Sequence, residues 1–296
     1  MPVKTVSAPQ LSPRTWWPID KLFIANSALM ICLLGLAARN DARAFLFIAA
    51  HFAAIGLLFV LSRSSSAFAV FLHDWYLLAY LPFCYKEVPY LVSALRLHVA
   101  DLKLANWDMM MWKADPVFWL SSVQQPLLVE FLQLVYTMFI PGVLALGIVL
   151  WLRKSRQEFH YGVFAVAVTF LISYLGYLAL PARGPRFMPY VAQHPSLHGL
   201  WTFTFFQRVL DTMEGTQYDC FPSGHVAVVL VGCYIARKIS PAVFYVFLTF
   251  SMLITFSTVY LRYHYVIDVI AGVALAILVV TAGPRIYRRL DSANSA

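Results

Sequence analysis

Charge is scarce in this chain: 12% of its 296 residues are Asp, Glu, Lys or Arg, where an ordinary soluble domain carries about 25%. With 61% hydrophobic residues beside that shortfall, a water-soluble globular fold is excluded and an integral membrane protein is indicated. Low-complexity linkers and internal repeats are missing too. The apolar runs follow one another with connectors too short to hold a second folded unit, so one polytopic domain is expected. Cysteine is limited to Cys32, Cys84, Cys220 and Cys233, in no metal-ligand spacing; Cys32 and Cys233 sit inside apolar runs and read as small buried side chains. Cys84 and Cys220 could both face an oxidising compartment, which leaves a disulfide open. No basic run accompanies the net charge of +8: Lys and Arg are dispersed through short loops, which reads as membrane topology and not as a nucleic-acid surface.

What is present is a series of apolar runs, each near the roughly 20 residues a helix needs to cross a bilayer: 22–38, 43–61, 68–84, 127–152, 160–180, 222–238, 241–260 and 264–283. The expected fold is therefore an all-α polytopic helical bundle of about eight transmembrane helices. The third run carries His73 and Asp74 and has a re-entrant or interfacial piece as its alternative. The first ends in Ala37-Ala38 like a signal peptide, but a second apolar run follows within a few residues, and it reads as a retained helix. Within the single domain the divisions are N-terminal transmembrane helices (1–84), an extracytoplasmic segment (85–126), a helical core (127–284) and a cytoplasmic tail (285–296).

Basic clusters set the sidedness. "RKSRQ" (153–157), "ARK" (236–238), "PRIYRR" (284–289) and Lys4, Arg14 and Lys21 alternate with the other loops and are assigned to the cytoplasm. That places 39–42, 85–126, 181–221 and 261–263 outside, although Arg39, Arg43, Lys86, Arg96, Lys103 and Lys113 run against the rule locally. Residues 101–125 mix Trp, Met and Leu with Asp and Lys; they read either as a segment lying in the membrane interface or as a packed extracellular cap. Asp101, Asp108 and Asp115 recur every seven residues, as on the wet face of an interfacial helix.

Three short stretches then fall on the outer side: "PARGPR" (181–186), "CFPSGH" (220–225) and "RYHYVID" (262–268). Ionisable groups at such places mark function by default. A helix would stack His264 and Asp268 on one face, so that the carboxylate fixes the imidazole tautomer and leaves the other ring nitrogen as base or nucleophile; a capped helix start with a satisfied His–Asp pair is the plainer alternative. Ser223 suits an N-cap, Gly224 lets an anion approach the exposed N–H groups, and His225 stands beside it. Arg183 and Arg186 flank a tight Gly-Pro turn, fitted to phosphate oxygens or to snorkelling toward lipid headgroups. "HPSLH" sets His194 and His198 four apart, but Pro195 disturbs the helix and no third ligand is evident.

In this order the three stretches resemble the signature of the type-2 phosphatidic acid phosphatase superfamily, and the surroundings resemble its inositol phosphorylceramide synthase-like, inositolphosphotransferase branch. The resemblance covers roughly residues 85 to 284. It implies a six-helix catalytic core and a phosphohistidine mechanism, with His264 as nucleophile, Asp268 orienting it, His225 as general acid, and Ser223 and Gly224 cradling phosphate. Arg183, Arg186 and Arg262 would neutralise the equatorial oxygens. Two departures stand out. No lysine stands seven positions before either arginine of the first stretch, where Gly176 and Ala179 are found, and Ser257 is followed by Thr258 instead of arginine. Fewer cations suit a phosphodiester, with one charge less, and lean toward head-group transfer. The expected partners are the membrane and a phospholipid, sphingolipid or polyprenyl phosphate substrate, with water or a polyol as acceptor. The alternatives are a strict lipid or polyprenyl phosphate phosphatase and, more distantly, a phospholipid carrier or flippase with charged groups spread through the membrane depth, where the sequence gathers them at one helix-end level. No metal, cofactor or nucleic acid is expected.

Overall fold

The computed structural model describes residues 16–292 apart from 122, 154, 190, 192–195 and 215–217. In chain order the helices are α1 (Pro18–Ala37), α2 (Ala44–Arg63), α3 (Ala67–Trp75), α4 (Leu77–Ala94), α5 (Asp101–Trp112), α6 (Pro116–Ser121), α7 (Pro126–Thr137), α8 (Phe139–Leu152), α9 (Arg156–Ala179), α10 (Phe203–Glu214), α11 (Gly224–Ala236), α12 (Pro241–Tyr260) and α13 (Val266–Ser292). A 3-10 turn, Pro185–Phe187, interrupts the loop after α9. Each regular element among the described residues is thus helical, as the composition indicated.

Six helices are long and apolar enough to cross a membrane, with α3 and α4 counted as one 28-residue span, and seven if α7 and α8, bent by 43° at Met138, are also one. The remaining run becomes α11, only 13 residues. That is about 20 Å, short of the roughly 30 Å hydrocarbon core. Its shortness is tolerated because protein, not lipid, meets it: α8, α9, α12 and α13 all pack on it, and Val226, Ala227, Val228, Val229 and Val231 are wholly buried. Lipid is as apolar as valine, so this packing is held by close van der Waals contact. Gly272 of α13 shows how close: a Cβ there would lie 2.6 Å from the Ser223 carbonyl oxygen. Capping sets the helix starts. Ser66, Ser223 and Ser240 each accept a backbone N–H with the side chain, and Pro241 occupies the first turn of α12.

The third span differs from expectation in two ways. Helix α4 runs on to Ala94 through Pro82 and Pro89, well past residue 84; inside a bundle, neighbouring helices compensate the backbone groups that proline frees. The extension buries Glu87 against His51 of α2, with Nε2 3.0 Å from Oε1. His73 and Asp74 mark a paired cluster inside that span: His73 lies 3.2 Å from Asp20, while Arg156 and the Trp151 indole N–H each reach Asp74 at 3.3 Å. Ionisable groups are therefore not confined to one helix-end level. The sequence read them so because their partners come from distant helices.

Helix α10 falls within what read as a loop. Its apolar Phe203, Phe206, Leu210 and Met213 recur at helical spacing, a signal too short and too mixed with Thr, Gln and Arg to stand out.

Candidate active site

The end of the bundle where α9 stops and α11 and α13 begin carries all three stretches. Helix α12 closes with Arg262 in the left-handed region (φ 64°); Arg262 N–H donates to Val259 O, and Tyr263 N–H reaches back to Thr258 O. This pair of bonds is the Schellman arrangement, in which the residue holding Arg262's place is usually glycine. Arg262 is 5% exposed, and its carbonyl accepts from Arg186 N–H at 3.1 Å. The "RGPR" turn depends on Gly184, at φ 95°, whose missing Cβ makes room for the Tyr263 carbonyl.

His264 precedes α13 instead of lying in it, so the expected stacking on one helix face is replaced by a tighter local device. Asp268, in the first turn, accepts Tyr265 N–H at 2.8 Å and caps the helix. The same Oδ2 lies 3.6 Å from His264 Nδ1 and accepts the Cys220 thiol at 2.7 Å. At 3.6 Å the His264–Asp268 pair is electrostatic and not a hydrogen bond. The hydrogen-bond acceptor for Nδ1–H is the Cys220 carbonyl, at 3.0 Å. That bond leaves Nε2 as the lone-pair nitrogen. The capped-helix and functional readings of Asp268 thus coexist. Burial pushes the Cys220 thiol well up, with the Asp268 carboxylate adding to it, so it remains a donor. Cys220 Sγ, His264 Nδ1 and Asp268 Oδ2 lie within 4.8 Å of one another, and their mutual contacts account for that grouping. Cys84 sits apart, beside Asn26, and all four cysteines are free.

Ser223 is wholly buried, caps α11 through Val226 N–H, and donates its own N–H to Asp268 O at 3.0 Å, which ties the second stretch to the third. At Gly224 a side chain would strike the Tyr177 hydroxyl. His225 faces His264 edge-on with ring centroids 5.8 Å apart. It stacks on Tyr136 at 4.6 Å, whose hydroxyl is 3.4 Å from His225 Nδ1, and Phe139 packs at 4.3 Å. Tyr136 in turn stacks on Tyr263 at 4.2 Å, and Arg186 lies over the other partner in that chain, 4.5 Å from the Tyr263 ring. Arg186 is also paired to Asp211 of α10 at 2.8 Å, and Arg183 lies 4.5 Å from the Phe187 ring.

The acids of α5 overturn their expected placement. Asp101 and Asp108 are 6% and 3% exposed, whereas Leu102 and Met110 point outward at 70% and 63%. Asp101 accepts the N–H groups of Arg183 and Gly184 (2.9 and 2.8 Å) and the Tyr265 hydroxyl (3.0 Å). Asp108 accepts Val266 N–H and Ile267 N–H at 2.7 and 2.8 Å, closing the start of α13. Asp101 and Asp108 do share one face of α5, but the face turns inward because loop and helix-end N–H groups there need acceptors, and Asp115 lies past the end of α5 and accepts Val117 N–H at 2.8 Å. Glu130 does the same for Leu200, Trp201 and Thr202 ahead of α10. His198 lies 2.6 Å from Ser196, and His194 falls outside the described residues.

The family model described as the PAP2 superfamily matches residues 103–282, the stretch that holds every one of these groups except Asp101. The chain belongs to the PAP2 superfamily. Among curated proteins it is similar to a PA-phosphatase related-family protein of Dictyostelium discoideum, 30% identical over 120 residues, which cover 39% of this chain and 21% of that one. It is also similar to the phosphoinositol dihydroceramide synthase of Bacteroides thetaiotaomicron, 30% identical over 159 residues, 48% of this chain and 51% of that one. The matches therefore span about a fifth and about half of these relatives. No solved structure matches significantly. Beyond the PAP2 stretches read from the sequence, the site takes in Tyr136, Asp101 and Asp108. Cys220 and Tyr263 lie within those stretches but were given no role there; Tyr136, 89 positions from His225, had no signal of its own.

Proposed function

We propose that this protein is a membrane-embedded lipid phosphotransferase or phosphatase acting through a phosphohistidine, with its site on the extracytoplasmic side. His264 Nε2 attacks phosphorus in line while the Cys220 carbonyl holds Nδ1–H and Asp268 offsets the positive charge that develops. His225 protonates the leaving oxygen, then, once neutral, takes the proton of the acceptor. Arg183, Arg186, Arg262 and the N–H groups at the start of α11 neutralise the equatorial oxygens. The observation that carries the reading is the edge-on approach of His225 and His264 at 5.8 Å beside a serine-capped helix start.

A phospholipid carrier would need polar groups along its path. The wall running from His225 to Asp74 is mainly aliphatic and aromatic, with Thr137 and Asp219 its other polar members, and the His51–Glu87 pair does not line it. Purified wild-type protein and His264→Ala should be compared on a panel of phospholipids, sphingolipids and polyprenyl phosphates, with and without inositol, by mass analysis of products. Turnover should fall by roughly 10³-fold or more in the variant. Undiminished turnover sinks the mechanism. Inorganic phosphate as product marks water as acceptor, and a new phosphodiester lipid marks an alcohol. The similarity to a phosphoinositol dihydroceramide synthase and the small number of cations favour the second outcome.

A further inference from the structure

A cavity of about 390 Å³ opens at Gly224 and His225 and descends between α4, α8 and α9. Tyr136, Phe139, Phe170 and Leu146 form its wall, and Trp75 and Leu150 close its far end. Both His225 and Ile235 line it, ten positions apart on α11, so at about 1.5 Å per residue it descends about 15 Å. Half of the roughly 30 Å hydrocarbon core is one leaflet, and the two depths agree. Helices α4 and α8 both pack on α9, which forms the back wall, and the front faces lipid: Leu78 and Ile140 line the cavity at 55% and 58% exposure.

We propose that this cavity holds one long hydrocarbon chain of a bilayer lipid whose phosphate-bonded oxygen lies at His225, and that Trp75 and Gly147 at its lower end set the chain length accepted. The proposal deepens the phosphotransfer reading and rests on it for the position of the phosphate. A polar headgroup is excluded from the shaft because each unpartnered polar group there costs several kcal/mol, roughly 2–7. An extended chain meets mostly apolar atoms, Thr137, Asp219 and Asp74 being the polar exceptions apart from His225, and enters sideways without crossing the polar end. Trp75 packs 5.3 Å from Phe159, which fixes the indole over Gly147; a Cβ at Gly147 would touch it at 3.5 and 3.6 Å. A longer side chain at 147 must therefore enter the cavity. Trp75 lies outside the 103–282 family match, so the floor combines one N-terminal residue with Gly147 and Leu150 of the matched region.

The test uses the full chain in detergent with two probe series of graded chain length: saturated lysophosphatidic acids, followed by phosphate release, and non-hydrolysable alkylphosphonates, followed by thermal stabilisation. Wild type should show an optimum length in both. Gly147→Leu should move it to shorter chains, with the longest losing about tenfold against the shortest, and Trp75→Leu should move it to longer ones. Stabilisation of Gly147→Leu by the shortest phosphonate reports that the variant is folded. An optimum that neither substitution moves, or a wild type indifferent to length, overturns the proposal even if phosphate is released. Length-graded binding with no turnover of any lipid leaves the cavity assignment standing and sinks the phosphotransfer reading instead. No binding and no release sinks both.

Discussion

Arg262 stands where helix ends favour glycine, and a side chain held at φ 64° costs about 1–2 kcal/mol. The strain sits on a buried cation at the site, which is where strained backbone is expected to be retained. Two substitutions separate the backbone from the charge. Arg262→Ala and Arg262→Gly both delete the guanidinium and should lose activity equally, but the glycine variant should be the more stable by about 1 kcal/mol, read by thermal unfolding of the two in the same detergent. Equal stability would mean that the turn carries no strain. The same loop shows what a sequence does not disclose about a residue. His264, His225 and Asp268 were legible because their side chains are out of place in an apolar run. The group nearest His264 Nδ1 is a backbone carbonyl, and backbone atoms carry no signature by residue type. Asp268 was read as a partner for His264 and is first of all a cap for its own helix.

At the scale of elements, the long apolar helices were legible because hydropathy over about 20 residues leaves little freedom, but α4 and α13 run about ten residues past their expected ends, to Ala94 and Ser292. Expected and observed bounds coincide at 241–260, and the 127–152 run reappears as α7 and α8, bent at Met138 where Pro141 removes the backbone bond to Thr137 and crowds its carbonyl. Short amphipathic elements were not legible: α10 was passed over, and α5 was recognised with its faces exchanged. That exchange has a measurable consequence. Burial pushes the Asp108 carboxyl up to about 6, with the Val266 and Ile267 N–H groups offsetting part of the rise. In the unfolded chain the ordinary value is about 3.9. A raised value means that the protonated form favours folding; this contribution is full below about pH 4 and is lost as pH rises through about 6. The melting temperature of wild type should therefore decline relative to Asp108→Asn, which does not titrate, between about pH 4 and 6.5. A difference between the two that stays constant with pH would show that the carboxyl is not held against the start of α13.

Across the whole molecule, the end opposite His264 carries a basic cluster of its own. Arg153 donates to Ile239 O, Lys238 lies over Tyr161, Lys21 donates to Leu290 O, and Arg285, Arg288 and Arg289 face one another. Segments far apart in the chain thus converge on one cationic rim, which the positive-inside rule assigns to the cytoplasm. The remaining inputs to that assignment, Lys4 and Arg14, fall outside the described residues. In the proposed orientation, with that rim inside, His225 and His264 would face the extracytoplasmic compartment and would respond to its pH. The mechanism asks opposite states of two imidazoles in edge contact, His225 protonated to expel the leaving group and His264 neutral to attack. One group must hold a proton and the other must not, so the rate should be bell-shaped in pH, with limbs that single-histidine variants are needed to assign. Right-side-out sealed vesicles allow the two compartments to be varied separately. Turnover should follow the external pH along the bell and stay level when only the internal pH is changed. A rate that follows the internal pH would put the basic rim outside and reverse the orientation of the bundle.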